Sequence, residues 1–309
     1  MKFDEKGIVL PRVLVATPTS SRHAHLLDEW IENLNKLNYP IDVLMIDTTP
    51  ENDEYFKRLQ TKVVKDKPIN VIRFPWDCSN YIVQHLAYAR EKIREFFLAS
   101  DYQFLMNCDD DIFLPVWGIE RLVSYNKDCV GFYVHIYNEP SVQVPCIFKS
   151  GEIIMGKGLE FYSFAEIDAY KDFITRMGES NMPFSENKLT ESEKLLIPFM
   201  VKDKFFPQLF KPYAVNMGCL LIRRNVLEQV PFRTHPTFII GEDLWWFNEA
   251  NDKKFEFWCD CRTRCVHRNT EWDSVLSKGP KGSNFSVAIG PKNAEGVDII
   301  QREPEVIKR

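Results

Sequence analysis

Three carboxylates stand in a row in FLMNCDDDIFLP, residues 104–115: Asp109, Asp110 and Asp111. Like charges repel, and taking carboxylates out of water is costly, so a positive group must accompany them. Hard oxygen donors suit Mg²⁺ or Mn²⁺, ions that bind through one or two carboxylates and complete their shell with substrate phosphates. The same triplet is also compatible with an acidic surface turn or an Asp-capped helix start. A second acidic pair, Glu242 and Asp243, lies in GEDLWWFN, residues 241–248. At the start of a helix these acids complement the dipole. Facing a cleft, one of them is a general base for a hydroxyl, with a pKa lowered by the helix terminus. Of the two tryptophans that follow, one is expected in the core and the other is free to stack on a ligand ring. His267, in RCVHRN, is either a structural strand histidine or a neutral imidazole that completes a metal site begun by Asp111, which favours Mn²⁺.

These residues need elements that bring them together. VLVATPT (13–19), IDVLMID (41–47), NVIRFP (70–75) and YQFLMNC (102–108) read as strands. Between them, Leu26, Leu27, Trp30, Ile31, Leu34 and Leu37 form one helical stripe, and Ile82, Val83, Leu86, Ala87, Ile93 and Phe97 another. Alternating strands and helices argue an α/β protein with an open, mostly parallel sheet flanked by helices. Ligands of such sheets bind outside the carboxyl ends of the strands. Pro18, Thr19, Asp47 and the aspartate triplet all fall at those ends, the first three where a nucleobase and ribose could dock. The chain divides into residues 1–131, a segment 132–215 that reads as an insertion or acceptor-side lobe, and residues 216–309. FEFWCDCRTRCVH, residues 255–267, alternates like a half-buried strand, with Asp260 on the polar face. Residues 270–285 read as a mobile lid.

Composition narrows the possibilities. The 309 residues are 45% hydrophobic and 27% charged, ordinary for a globular protein. A net charge of -5 disfavours bulk nucleic-acid binding, although Arg22, Arg262, Arg264, Arg268 and Lys281 are candidate phosphate partners. The start, MKFDEKGIVL, does not read as a signal peptide, and no apolar run suggests a transmembrane segment. The eight cysteines are scattered and read as reduced thiols of a cytoplasmic protein. A zinc site in CDCRTRC is rejected. Alternate strand residues lie about 7 Å apart, whereas each zinc-bound sulfur must lie about 2.3 Å from one ion.

In their order, VLVATPT, MIDTT, FLMNCDDDIFLP, NMGCLLIRRNVL, GEDLWWFN and CVHRN resemble the GT-A fold glycosyltransferases over roughly residues 10–270. The triplet is similar to the DxD-type motif both of the β1,3-glycosyltransferases and of the family 2 enzymes. The resemblance implies a GT-A, Rossmann-like open mixed sheet with an inserted acceptor-side region. It implies an enzyme that moves a sugar from a nucleotide-diphosphate donor, a UDP-sugar or GDP-mannose, to a hydroxyl of a glycan, a lipid-linked molecule or a protein. The cofactor would be Mn²⁺ or Mg²⁺. By position, Asp109 would touch the ribose and join Asp111 and His267 at the metal, with Asp110 assisting. Asp47, with Pro18 and Thr19, would meet the nucleobase or ribose. Asp243 would be the base of an inverting reaction, with Glu242 beside it.

Rival readings are weaker. A nucleotidylyltransferase needs a Gly-rich basic loop after the first strand, and TPTSSRHAH has no glycine. A DxD phosphatase places its motif after the first strand, not the fourth. A non-catalytic sugar- or nucleotide-binding protein on the same fold is the remaining alternative.

Overall fold

A computed structural model describes residues 10–50, 53–76, 82–139, 142–145, 147–150, 160–161, 209–235 and 241–268. Eight strands form the main sheet: Val13–Thr19 (β1), Ile41–Asp47 (β2), Asn70–Arg73 (β3), Phe104–Cys108 (β4), Cys129–Tyr133 (β5), Leu209–Phe210 (β6), Cys219–Arg223 (β7) and Phe257–Arg264 (β8). Their order is β6-β8-β5-β7-β4-β1-β2-β3. The strands β3, β2, β1 and β4 run parallel, each β-to-β crossing carrying a helix. The other half is mixed, because β7 runs antiparallel to both β4 and β5, and β6 antiparallel to β8. Apolar residues on both faces suit a sheet covered on both sides, and all five residues of β4 and of β5 are buried.

The helices are Leu27–Lys36 (α1), Asp53–Gln60 (α2), Ile82–Leu98 (α3), Gly118–Ser124 (α4), Arg224–Gln229 (α5) and Glu242–Asp252 (α6). In α1 the spacing i, i+3, i+4, i+7 puts Leu27, Trp30, Ile31 and Leu34 on one buried face. Trp30 is fully buried, and its indole N–H donates to the carbonyl of Asp109 over 3.1 Å. Truncating it to Ala removes both the packing, worth about 3–5 kcal/mol, and an anchor of the acidic turn.

The sheet is mixed, as the resemblance implies, and not mostly parallel as the alternation of strands and helices alone suggests, because β7 runs antiparallel to β4 and β5. From Phe257 to Cys261 the strand β8 is buried on both faces, not half-buried: Trp258 and Asp260 are enclosed along with Cys259 and Cys261, and only at Arg262 does the polar face reach solvent. The strand lies between β5 and β6, and Asp260 is satisfied there by the Tyr125 hydroxyl at 2.7 Å and Arg121 Nε at 3.0 Å. Both ends of segment 132–215 belong to sheets, through β5, β6 and the Ala214–Val215 pairing with Ile147–Ser150. The lid at 270–285, with Lys281, lies outside the described residues. The six described cysteines are buried free thiols. Among the described residues no helix is long and apolar enough to cross a membrane.

Candidate active site

The aspartate triplet follows β4 directly and forms a tight turn, closed by Ile112 N–H donating to the Asp109 carbonyl over 2.9 Å. A turn points successive side chains in different directions, and each acid finds its own basic partner. Asp109 Oδ1 accepts from Arg90 Nη2 at 3.1 Å. Asp110 meets His23 Nδ1 with one oxygen and the Thr19 hydroxyl, at 2.5 Å, with the other. Asp111 Oδ2 lies 3.3 Å from His267 Nε2. The three acids are therefore met by basic side chains from three elements.

Each contact has a local cause. Asp109 turns towards Arg90 in the space left by a glycine. A Cβ on Gly218 would come within 2.1 Å of Asp109 Oδ2, and the Gly218 carbonyl accepts the Asp109 N–H at 2.9 Å. His267 is brought to Asp111 by a short antiparallel ladder, Ile112–Phe113 with Val266–His267. Arg268 N–H closes the same contact on the Asp111 carbonyl at 3.0 Å. His23 ends a single 3-10 turn, Ser21–His23, just beyond β1. Burial alone would depress its pKa. The facing Asp110 carboxylate, with Asp111 and Asp109 behind it, overcomes that and holds it above the usual imidazole value.

Glu242 and Asp243 begin α6 after Gly241. Arg90 joins them to the triplet, its Nε lying 3.3 Å from Glu242 Oε1 while Nη2 holds Asp109. Arg90 is 5% exposed, and its third nitrogen, Nη1, is buried and finds no hydrogen-bond partner among the described residues. The expected lowering of the base's pKa is reversed. Burial, then the neighbouring Asp243 charge, push Glu242 up to about 7 against the pull of Arg90. Burial raises Asp243 as well, outweighing the Leu244 N–H that its Oδ1 accepts at 2.7 Å. One amide dipole at a helix end is a smaller effect than removing a carboxylate from water. Of the two tryptophans, Trp246 is the core residue, fully buried and stacked 5.2 Å from Phe232. Trp245 is half-buried, edge-on to His235.

These side chains surround a cavity of about 300 Å³ at the carboxyl edge of the sheet. Pro18, Thr19, Asp109, Asp110, Asp111, Glu242 and Asp243 all line it. His267 is held at its border through Asp111. Asp47 does not line it: this carboxylate is fully buried, paired with Arg73 at 2.5 Å and accepting Thr49 N–H at 2.9 Å, and its neighbours Thr48 and Pro50 form the wall instead. Asp109 does line the cavity, with Oδ1 held by Arg90 and Oδ2 lying against Gly218. Among the described residues no group of three or more His, Cys, Asp or Glu side chains is arranged around one point. The pair Asp111 and His267 still fits a divalent ion. Two donors each about 2.1 Å from one octahedral ion lie about 3 Å apart, close to the observed 3.3 Å, and an oxygen with an imidazole nitrogen suits Mn²⁺.

Sequence reasoning missed Arg90, His23, Trp76, His85 and Asn216, which also line the cavity. Arg90 carried a signal: it shares the α3 stripe of Ala87, Ile93 and Phe97, and a charge on an apolar stripe requires a partner. Of the proposed phosphate partners, Arg22 lines the cavity. Arg268 is ion-paired with Glu29 at 2.6 Å, and Arg262 is exposed on β8.

No family model matches the sequence, and no curated protein is similar to it in sequence. Among solved structures, GalNAc-T7 with UDP, GalNAc and Mn²⁺ superposes with a TM-score of 0.52 at 14% identity, over 84% of this chain and 44% of that one. A mannosyltransferase from Pyrobaculum calidifontis in complex with GDP-Man and Mn²⁺ gives 0.47 at 12% identity, over 87% and 61%. S. aureus TarS 1-349 with UDP-GlcNAc gives 0.46 at 10% identity, over 82% and 57%. This chain thus spans 44% to 61% of the length of these structures. The eight-stranded mixed sheet, its flanking helices and the likeness to GalNAc-T7 make the fold that of the GT-A glycosyltransferases.

Proposed function

We propose that this protein transfers a sugar from a nucleotide-diphosphate donor, a UDP-sugar or GDP-mannose, to a hydroxyl acceptor, with inversion and with Mn²⁺ or Mg²⁺. The observation that carries the reading is the convergence of Asp109–Asp111 and Glu242–Asp243 on one cavity at the carboxyl edge of a GT-A sheet. The structures of GalNAc-T7 and of the P. calidifontis mannosyltransferase, with their nucleotides and Mn²⁺, support the choice of donor and ion. Asp111 and His267 would hold the ion, which when bound neutralises charge on the departing diphosphate.

The protein's own groups do the rest. Asp243 accepts the proton of the acceptor hydroxyl as its oxygen bonds to the anomeric carbon and the bond from that carbon to the diphosphate oxygen breaks. A raised pKa makes Asp243 a stronger base than an exposed aspartate. Glu242, held by Arg90, orients the acceptor or the base. Burial of the acids keeps bulk water away from the reacting carbon.

A screen of UDP-sugars and GDP-mannose for Mn²⁺-dependent release of UDP or GDP tests the proposal. Wild-type protein is expected to turn over at least one donor. Asp243→Asn is expected to bind that donor unchanged and lose about 10²–10⁴-fold in kcat. Folded wild-type protein that hydrolyses or transfers none of them contradicts the reading, and unchanged kcat in Asp243→Asn removes Asp243 as the base.

A further inference from the structure

We propose that Asn33 of α1 is a positioning residue for the divalent ion. Its amide fixes the strand that carries Asp111 against the strand that carries His267, and so sets ion affinity without touching ion, nucleotide or acceptor. The inference rests on the metal-dependent reading above and deepens it.

Asp111 and His267 are brought together by a ladder of only two residue pairs, Ile112 with His267 and Phe113 with Val266. Each side of so short a ladder needs its own anchor. The His267 side has one in the core: Cys265, 2% exposed, donates its N–H to the Tyr133 carbonyl of β5 at 3.1 Å. The Asp111 side lies beyond the end of β4 at Cys108, so the main sheet does not reach it. Helix α1 holds it instead. The Trp30 indole fixes the Asp109 carbonyl at the start of the turn, at 3.1 Å. Asn33, three residues later on the helix, grips Leu114 at the far end. Its Nδ2 donates to the Leu114 carbonyl at 2.9 Å, and its Oδ1 accepts the Leu114 N–H at 3.0 Å.

The place of that grip matters. Successive residues of a strand turn their backbone groups to alternate edges. Asp111 faces the ladder, its carbonyl accepting the Arg268 N–H at 3.0 Å. Leu114, three residues on, therefore presents both backbone groups to the opposite edge, where the Asn33 amide stands in for a further strand. A slip of one residue turns every side chain of a strand to its other face. Here it would carry Asp111 away from His267, and Asn33 would lose both of its bonds. Glu29, one turn earlier on α1, pairs with Arg268 at 2.6 Å, so the helix reaches both sides of the ladder. An exposed ion pair contributes little, which leaves the amide as the main constraint. Asn33 is not among the residues that line the cavity.

Two measurements test the inference: calorimetric titration of Mn²⁺ into protein holding UDP or GDP, and hydrogen exchange at the Arg268 amide in metal-free protein. Asn33→Ala removes both bonds and raises the helix propensity of α1, so the protein should still fold. It is expected to bind Mn²⁺ about tenfold more weakly, the low end for groups that orient a metal ligand from outside. Its affinity for UDP or GDP in chelator should stay at the wild-type level. Its Arg268 amide should exchange faster than in wild type. Asn33→Gln keeps the amide one methylene further out. It should lie between alanine and wild type on both readouts, and it carries the test if the alanine variant does not fold. Asn35 of the same helix supplies the control. Its Oδ1 accepts the Lys65 N–H at 2.8 Å, within the hairpin of Val63–Val64 with Lys67–Pro68, away from the ladder. Asn35→Ala should leave Mn²⁺ affinity and Arg268 exchange unchanged. Wild-type Mn²⁺ affinity or wild-type Arg268 exchange in Asn33→Ala overturns the inference. So does an equal loss in Asn35→Ala, which would trace the effect to α1 as a whole. Wild-type protein that binds no Mn²⁺ overturns the metal reading, and this inference with it.

Discussion

Arg90 is one guanidinium shared by two acids from different elements, and that sharing has a measurable consequence. Removing it as Arg90→Met leaves Asp109 and Glu242 facing each other with no positive charge between them. Breaking a buried ion pair from one side costs about 3–5 kcal/mol, so the denaturant midpoint should fall accordingly. Arg90→Lys should recover little, because one ammonium cannot present Nε and Nη2 to two carboxylates at once. A wild-type midpoint for Arg90→Met contradicts the bridge. Glu242 makes a second prediction through pH. Its folded pKa of about 7 exceeds its ordinary 4.5, so the folded state binds the extra proton between those values. The contribution to stability is full below about 4.5 and is lost as pH rises through about 7. Glu242→Gln should flatten the decline in stability from pH 5 to pH 8, and an unchanged slope would place the titration elsewhere. Some of this was legible in the sequence. Three adjacent acids announce a need for positive charge, and Asp111 and His267 could be paired before any coordinates. That side-chain cations also meet Asp109 and Asp110 was hidden, since His23 and Arg90 lie 87 and 19 residues from their partners.

Gly218 shows how two strands share one site. It immediately precedes β7, and β7 pairs with β4, so the Gly218 carbonyl receives Asp109 N–H and its bare Cα makes room for the Asp109 carboxylate. Gly218→Ala should push Asp109 off Arg90 and cost about 1–3 kcal/mol, typical of overpacking. A melting temperature equal to wild type would mean that Asp109 does not occupy this pose. The strands β1 to β4 could be read from sequence because each is an apolar run closed by polar or proline residues, and their helices carry clean stripes. The reversal of β7 could not. A short apolar run such as CLLIR has the same pattern in either direction, and only the connection sets its sense. The burial of β8 on both faces was equally hidden, because Asp260 reads as a solvent-facing residue until Tyr125 and Arg121 are brought to it from α4 and the residue after it.

The chain as a whole is acidic, at -5, yet its cavity gathers Arg22, His23, Arg90 and His267 around five acids. Under the proposed reading, a divalent ion at Asp111 and His267 brings the further positive charge that an anionic nucleotide needs beside these acids. The fold places every part of this assembly at one sheet edge, where open α/β sheets bind their ligands. The role of the ion is tested most directly by calorimetric titration of UDP and GDP into wild-type protein and Asp111→Ala, each with Mn²⁺ and with a chelator. Wild-type protein should bind one nucleotide at least about tenfold more tightly with Mn²⁺, a difference of about 1.4 kcal/mol, and Asp111→Ala should lose that gain. Equal affinity with and without the ion in wild type, or an intact Mn²⁺ effect in Asp111→Ala, would contradict a metal-linked nucleotide site at the triplet.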